Sequence, residues 1–358
     1  MNKSNIFKLF RNKKILITGH NGFKGSWLTI WLYLLGAKIV GISLRNKSLY
    51  NHFNLVKNKI RIKSYYFDIN QKKKIESIIL KEKPDFIFHL AAQSLVYKSI
   101  INPKFNWETN VIGLLNILEA LNKLKKKCIG IIITSDKCYK NIEKKIEYKE
   151  TDILGGIDPY SASKASAEIL FHSYYKTFVE NKNNKLRLCT ARAGNVIGGG
   201  DWSNKRLIPD CMKMWLMNKV PIIRNPRSTR PWQHVLEALS GYLALSIKLS
   251  KDKNINGHSF NFSSEKIKNI TVEEFLKKIK KQWPDITWNG NKKNEFYESS
   301  LLQLDTSKAK RILKWKARLS LNQTIKFIVD WYRNFSKNKK NIFDISKSQI
   351  NEFMKIEP

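Results

Sequence analysis

The run Lys14–Thr18 is mostly apolar and stops at Gly19, so it predicts a short buried strand. Beyond it, Phe23, Trp27, Ile30, Trp31, Leu34 and Leu35 recur at the spacing of one helix face, and Gly36 supplies a left-handed stop. The pattern then alternates. Ile39–Leu44 predicts a second strand, Tyr65–Phe67 a third and Asp85–Leu90 a fourth, with a basic helix around Lys72–Lys81 before the last of these. A helical apolar face runs over Asn110–Leu124, an apolar strand over Ile129–Thr134, a helix from Tyr160 to about Val179 and a strand over Leu186–Ala191. Strands alternating with helices predict βαβ units and a parallel sheet covered on both faces.

After Arg192 the rhythm breaks. Gly198–Gly200 and Pro221–Pro231 read as loops, while the helix Trp232–Leu249 and the strand Ser259–Phe262 read as a return to the sheet. Thr271 and Glu274 form a capping box that opens a helix with Phe275, Leu276, Ile279 and Trp283 inward. Another helix starts near Ser320 and carries Ile325, Ile328, Val329 and Tyr332. The expected organisation is a large α/β domain from 1–193 and 231–262 and a smaller, discontinuous one from 194–230 and 263–335. A basic tail, 336–358, is expected to be mobile from its Lys and Asn content.

Composition narrows the class. The chain has 358 residues, 42% of them hydrophobic, ordinary for a globular protein of this size. No apolar run reaches the roughly 18 residues of a membrane span, and the basic stretch Met1–Lys14 leads into an apolar run too short for a signal sequence. A cytoplasmic protein with no membrane partner is the expectation. Cys128, Cys138, Cys189 and Cys211 lack metal-ligand spacing, which predicts free thiols and no metal site. The formal charge of +37 has two readings: a surface for nucleic acid, or a drift toward lysine spread over every solvent face. Lys72–Lys74, Lys125–Lys127, Lys277–Lys281 and Lys337–Lys340 lie in separate segments with no interleaved aromatics, which favours drift and no nucleic-acid partner. Such a field still attracts anionic small molecules.

Candidate chemistry sits at two places. Gly19, Gly22 and Gly25 fall between the first strand and first helix, the context of a dinucleotide loop with the Gly-x-x-Gly-x-x-Gly spacing. Gly19 would make the tight turn, Gly22 admit the pyrophosphate and Gly25 allow close helix packing. The second strand ends Ser43-Leu44-Arg45-Asn46, without the acid that usually accepts the adenosine ribose hydroxyls; Arg45 either faces a 2′-phosphate or is a solvated loop residue. Asp68, ending the third strand, would meet the adenine edge or cap the following helix. The second place is Tyr160 and Lys164, one helical turn apart on one face, with Ser135 ending the preceding strand. A tyrosine is a poor base at neutral pH, and a neighbouring cation, helped by the oxidised nicotinamide of a bound dinucleotide, is expected to lower its pKa.

The chain resembles the extended short-chain dehydrogenase/reductases and, within them, the nucleotide-sugar 4,6-dehydratases. The resemblance rests on Thr18–Trp27, His89–Ser94, Thr134–Tyr139, Asp158–Lys164, Ala191–Trp202, Arg206–Asp210, Arg230–Val235 and Leu304–Ala309. Thr134-Ser-Asp-Lys137 and Arg230-Pro-Trp-Gln-His234 are the stretches most specific for the branch acting on CDP-sugars. It implies a Rossmann-type doubly wound sheet with a smaller substrate domain, NAD as cofactor and CDP-glucose as substrate. It also implies a homodimer or homotetramer through helices near 110–124 and 160–179, and a place on a path to the deoxysugars of surface polysaccharide, such as the O-antigen of lipopolysaccharide.

The implied reaction is redox-neutral. Tyr160 takes the proton of the sugar C4 hydroxyl as hydride passes to NAD, water is lost across C5 and C6, and hydride returns to C6. The resemblance places Ser135 on the C4 oxygen and Asp136 as general acid for the C6 hydroxyl. Lys137 is either the C5 base or an electrostatic stabiliser of the enolate; its charge would disfavour the protonated Asp136 that elimination requires. The implied cofactor contacts are Gly19, Asn21, Gly22, Phe23, Gly25, Asp68, Ile69, Leu90, Ala91 and Ala92, with Tyr160 and Lys164. Gln93, Ser94, Asn195, Arg206, Leu207 and Arg230 are the implied substrate contacts, the arginines for the diphosphate. His234 reads as packed, and Lys314 stands where relatives place a helix-ending glycine. The rival readings are a nucleotide-sugar 4-epimerase, which needs no acid for C6, a dehydratase for another nucleotide, and a non-catalytic basic RNA-binding protein.

Overall fold

Seven strands form one sheet in the computed structural model: β1 (Lys14–Thr18), β2 (Lys38–Ser43), β3 (Ile62–Tyr66), β4 (Phe86–His89), β5 (Cys128–Ile133), β6 (Leu186–Ala193) and β7 (Ser259–Phe262). The structure describes residues 9–357 apart from 145, 181–184, 230–231, 265–266, 268–269 and 291–301. The strand order is β7-β6-β5-β4-β1-β2-β3 and every neighbouring pair is parallel. This is the Rossmann-type, doubly wound arrangement with one added edge strand. Strands buried on both faces need no polar side, which is why β5 is buried along its whole length. β3 lies at an edge, and its burial falls accordingly. That edge position explains why its start at Ile62 carried too little apolar signal and the sequence placed the strand at Tyr65–Phe67.

Alternation within β1 separates the two faces of the core. Ile15 and Ile17 pack with Trp27, Leu28 and Trp31 of α1 (Phe23–Leu34), while Leu16 packs on the opposite side. That second layer is built from α2 (Lys72–Glu82), α3 (Gly113–Asn122) and α4 (Pro159–Tyr175), through Ile75, Ile79, Ile117, Leu121 and Phe171. After β6 the chain leaves the sheet for α5 (Leu207–Leu216), then returns through α6 (Val235–Lys251) to the edge strand β7. The expected capping box of Thr271 with Glu274 forms ahead of α7 (Val272–Gln282), and a second, Ser320 with Gln323, opens α8 (Leu321–Lys337) where a helix start was expected. Lys314 adopts φ +53°, the left-handed conformation that a glycine would take without strain.

The basic tail corrects its expectation. Residues 342–355 form α9 (Ile342–Lys355), packed against α1 and α8. Ile342, Ser346, Gln349, Ile350 and Phe353 are buried on one helical face, and the Phe353 ring meets Trp31 edge-on at 5.6 Å. Fully burying side chains such as Ile342, Ile350 and Phe353 stabilises by about 1.5–3 kcal/mol each. Lysine and asparagine on the outer face diluted that stripe in the composition. His52 joins the layers: Nδ1 pairs with Ser26 Oγ of α1 at 3.0 Å, and Nε2 with Ser346 Oγ of α9 at 3.0 Å.

Candidate active site

The sheet's order reverses around β1, and open α/β sheets bind ligands in the crevice at the C-terminal strand ends beside such a reversal. A continuous cleft of 1570 Å³ opens there, from Ser43 and Asp68 past Tyr160 to Arg206 and Arg224. One ligand commonly fills roughly 300–1,000 Å³, so the cleft has room for two nucleotide-sized molecules. Gly19 sits at φ +73°, and a Cβ there would lie 2.8 Å from the Ala91 nitrogen. Gly25 is more constrained, since its Cβ would fall 2.0 Å from the Gly19 carbonyl oxygen. The loop is thereby held against its own helix start, which presents the N-terminal backbone donors of α1 to the cleft.

Around the loop, several sequence candidates line the cleft: Asn21, Gly22, Phe23, Asp68, Ile69, Leu90, Ala91 and Ala92. Asn21 donates its side-chain amide to the Leu44 carbonyl at 2.6 Å, so the side chain ties the loop to the end of β2. Asp68 accepts the Asn70 backbone N–H at 2.8 Å, a local turn that leaves it on the cleft wall. Arg45 instead stacks its guanidinium 4.9 Å from the Tyr66 ring centre, and the cleft wall here is Ser43, Leu44 and Asn46. Its expected approach to a 2′-phosphate therefore finds no geometric support.

α4 delivers the reactive pair. Asp158 caps the helix by accepting the Ser161 N–H at 3.0 Å, and Pro159 occupies its first turn. Tyr160 and Lys164 are both buried on the face turned to β5 and the cleft. Ser135, just past β5, hydrogen-bonds the Tyr160 phenol and donates to Asp136 Oδ1 at 2.9 Å. Burial pushes Tyr160 up to about 12, against Ser135 and the more distant Arg206, which lower it. In the protein alone desolvation of the phenolate prevails, and the expected lowering calls on the nicotinamide charge as well as on Lys164. Lys164 is itself driven down to about 8 by burial, with Cys138 and Glu168 acting in the other direction.

Asp136 is 5% exposed, and desolvation raises its pKa despite Lys137, the Ser135 bond, the Lys137 backbone N–H and Lys24. At Asp136 burial thus outweighs the neighbouring Lys137 in setting the direction of the shift. Below this set, Glu168 accepts Arg192, Thr134, Thr190 and Ser259, and Arg192 Nη2 lies 2.7 Å from it. This buried pair anchors α4 to β6 and β7 one turn beyond Lys164.

Other candidates divide. Gln93 lines the cleft, but its amide is used internally, accepting the Leu95 N–H at 2.7 Å and donating to Leu95 and Asn106. It thus borders the cleft while its amide braces the loop behind it. Ser94, Asn195, Arg206 and Leu207 line the cleft. Arg206 pairs with Asp201 at 3.3 Å and donates to the Ser94 carbonyl at 3.1 Å. Arg230 lies outside the described residues. His234 is buried, edge-on to Phe327, and held down to about 3, as a packed histidine should be.

Sequence reasoning missed three residues. Asn110 accepts the Gln93 N–H at 2.9 Å and donates to Ser163 at 2.9 Å, bracing β4's loop against α4; only its place in an amphipathic helix was visible. Arg224 lines the cleft from a loop with no periodicity. Lys24 interrupts the glycine loop with a cation, and the loop's spacing drew attention to the glycines alone.

A dinucleotide-type loop facing a Ser–Tyr–Lys set defines a short-chain dehydrogenase/reductase site on a Rossmann-type sheet. The sequence profile described as GDP-mannose 4,6 dehydratase matches residues 16–328. The chain is 37% identical over 349 residues to a CDP-glucose 4,6-dehydratase of Salmonella typhimurium, covering 96% of this chain and 97% of that one. It is 24% identical to a UDP-glucose 4-epimerase of Mycoplasma genitalium, over 90% of this chain and 97% of the relative. Among solved structures, a dTDP-glucose 4,6-dehydratase of Bacillus anthracis in complex with NAD superposes with a TM-score of 0.73 at 23% identity, covering 91% of this chain and 98% of that one. This chain belongs to the GDP-mannose 4,6 dehydratase family of nucleotide-sugar enzymes.

Proposed function

We propose that the protein is a CDP-glucose 4,6-dehydratase, converting CDP-D-glucose to CDP-4-keto-6-deoxy-D-glucose and water. The observation that carries this reading is Asp136: a buried carboxyl whose pKa burial raises, bonded to the serine that also bonds the Tyr160 phenol. An epimerase has no use for an acid beside C6. The Gly19–Gly25 cradle and the cleft wall at Asp68–Ile69 and Leu90–Ala92 fit a dinucleotide, which we assign as NAD. Bound NAD would supply a hydride acceptor for C4, later a donor to C6, and a positive charge that offsets the desolvation of the Tyr160 phenolate.

The chain's own residues do the proton work. Tyr160 receives the C4 hydroxyl proton, with Ser135 holding the C4 oxygen. The resulting ketone acidifies the C5 hydrogen, which Lys137 removes or whose enolate it stabilises. Asp136 gives its proton to the departing C6 oxygen, so a full water leaves. Arg206 and Arg224, across the cleft, suit the substrate diphosphate, and Arg230 is assigned there from the sequence alone.

The proposed domain division places the sugar-nucleotide on 194–230 and 263–335. A homodimer or homotetramer fits the exposed apolar side chains Ile169 and Phe178 on and after α4, and Trp107 and Ile112 ahead of α3. A cytoplasmic role in making deoxysugars for surface polysaccharide, such as O-antigen, completes the proposal. The test is incubation with CDP-, dTDP-, GDP- and UDP-glucose, followed by mass and carbonyl analysis. A CDP-sugar ketone one water lighter, without net NADH release, supports the reading. An unreduced-mass epimer, or stoichiometric NADH, contradicts it.

A further inference from the structure

Lys24 belongs to the phosphate loop by its backbone and to the reacting centre by its side chain. It follows Gly22 by two residues in the first turn of α1 and lines the same cleft as Tyr160 and Lys164. Its ammonium donates to Tyr242 Oη of α6 at 3.5 Å. The charges it senses are Arg206, Asp136, Lys164 and Asp201. Both of these acids are engaged elsewhere: Asp201 with Arg206 at 3.3 Å and the Ser203 N–H at 3.0 Å, and Asp136 with Ser135 and the Lys137 N–H. Tyr242 is buried and its phenol is pushed up, so it brings no compensating anion. Among the described residues, no carboxylate forms an ion pair with Lys24.

A cation between the pyrophosphate loop and the hydride-transfer centre lies beside the stretch where a bound dinucleotide passes from phosphate to nicotinamide. The oxidised nicotinamide is a cation and the reduced one is neutral, so a fixed positive charge there favours the reduced form. We propose that Lys24 sets the redox poise of the bound cofactor, holding it toward its reduced form while the sugar is a ketone. This rests on the reading of the cleft as an NAD site. In the proposed cycle it draws C4 oxidation forward and keeps hydride in the cleft until elimination is complete. The interaction also depends on pH. Burial, with Arg206 and Lys164 adding to it against Asp136 and Asp201, brings Lys24 down to about 8, so its charge is present below that pH and lost above it.

The test compares the affinities of NAD and NADH, measured separately by titration calorimetry on nucleotide-stripped protein. In Lys24→Met at pH 6.5, NAD should tighten relative to NADH by about tenfold, equivalent to ~30 mV in the bound couple. Lys24→Arg should keep the wild-type ratio. The wild type itself, titrated from pH 6.5 to 9, should drift toward the Met ratio, a readout that needs no variant to fold. If Lys24→Met weakens NAD and NADH by the same factor, Lys24 serves only the shared pyrophosphate and the proposal fails. A wild-type ratio flat with pH also overturns it. Failure of the wild type to bind either dinucleotide would instead remove the cofactor reading, and this inference with it.

Discussion

The two sides of the cleft are built differently. On the cofactor side, Gly25 abuts the Gly19 carbonyl, Ser135 bonds both Tyr160 and Asp136, and Asn110 locks Gln93 to Ser163 beside Lys164. On the substrate side, Asn195 and Ser94 are exposed and Arg206 is held by a single carboxylate and one carbonyl. Desolvation raises the pKa of Asp136 and Tyr160 and lowers that of Lys164. The rigid side sets protonation states for chemistry; the open side supplies charge and hydrogen bonds for a ligand that arrives and leaves. Substitutions on the first should therefore change the rate of chemistry, and those on the second should change affinity.

The largest expected effect is on the rigid side. Tyr160→Phe removes the base for the C4 hydroxyl, and loss of such acid–base help typically costs about 10²–10⁴-fold. Rapid mixing with CDP-glucose should show no reduced-nicotinamide absorbance, while substrate affinity by calorimetry stays close to the parent's. Arg206→Ala probes the open side. Charge-assisted hydrogen bonds contribute about 1.5–3 kcal/mol, so KM for the nucleotide-sugar should rise roughly 10- to 150-fold with kcat changed far less. A loss confined to kcat would place Arg206 in the chemistry and dissolve the comparison. The smallest effect lies away from both. Lys314→Gly relieves a left-handed backbone, expected to stabilise by about 1 kcal/mol, read as a small rise in Tm with unchanged kcat.

That contrast also explains what the sequence disclosed. Buried parallel strands and helix caps act locally, so the alternation through Leu186–Ala191, the cap at Thr271 and the helix start near Ser320 were legible from residue type and spacing. So were the glycine loop and the Tyr160–Lys164 pair. Desolvation is a tertiary quantity, and a YxxxK pattern states only that a cation is near; hence the burial that raises Tyr160 in the protein alone was not legible. The α9 stripe was hidden because Ser346 and Gln349 place polar residues within its buried face. The contacts of Lys24 and the bracing by Gln93 were not legible for a related reason: contacts with α6, and with Asn106 and Asn110, join distant parts of the chain.

The central claim is that Asp136 acts as the acid that expels the C6 oxygen. Because burial raises its pKa, the donor form is present below that value and lost as pH climbs through it, so the elimination step should slow on the alkaline side. The most direct measurement is a single turnover of Asp136→Asn with CDP-glucose, following reduced-nicotinamide absorbance and the mass of the sugar together. The account predicts that absorbance rises and persists, the sugar is held as a 4-ketone that still carries its C6 oxygen, and product forms about 10²–10⁴-fold more slowly. Formation of the 6-deoxy ketone at the parent rate, with the same alkaline profile, would contradict it.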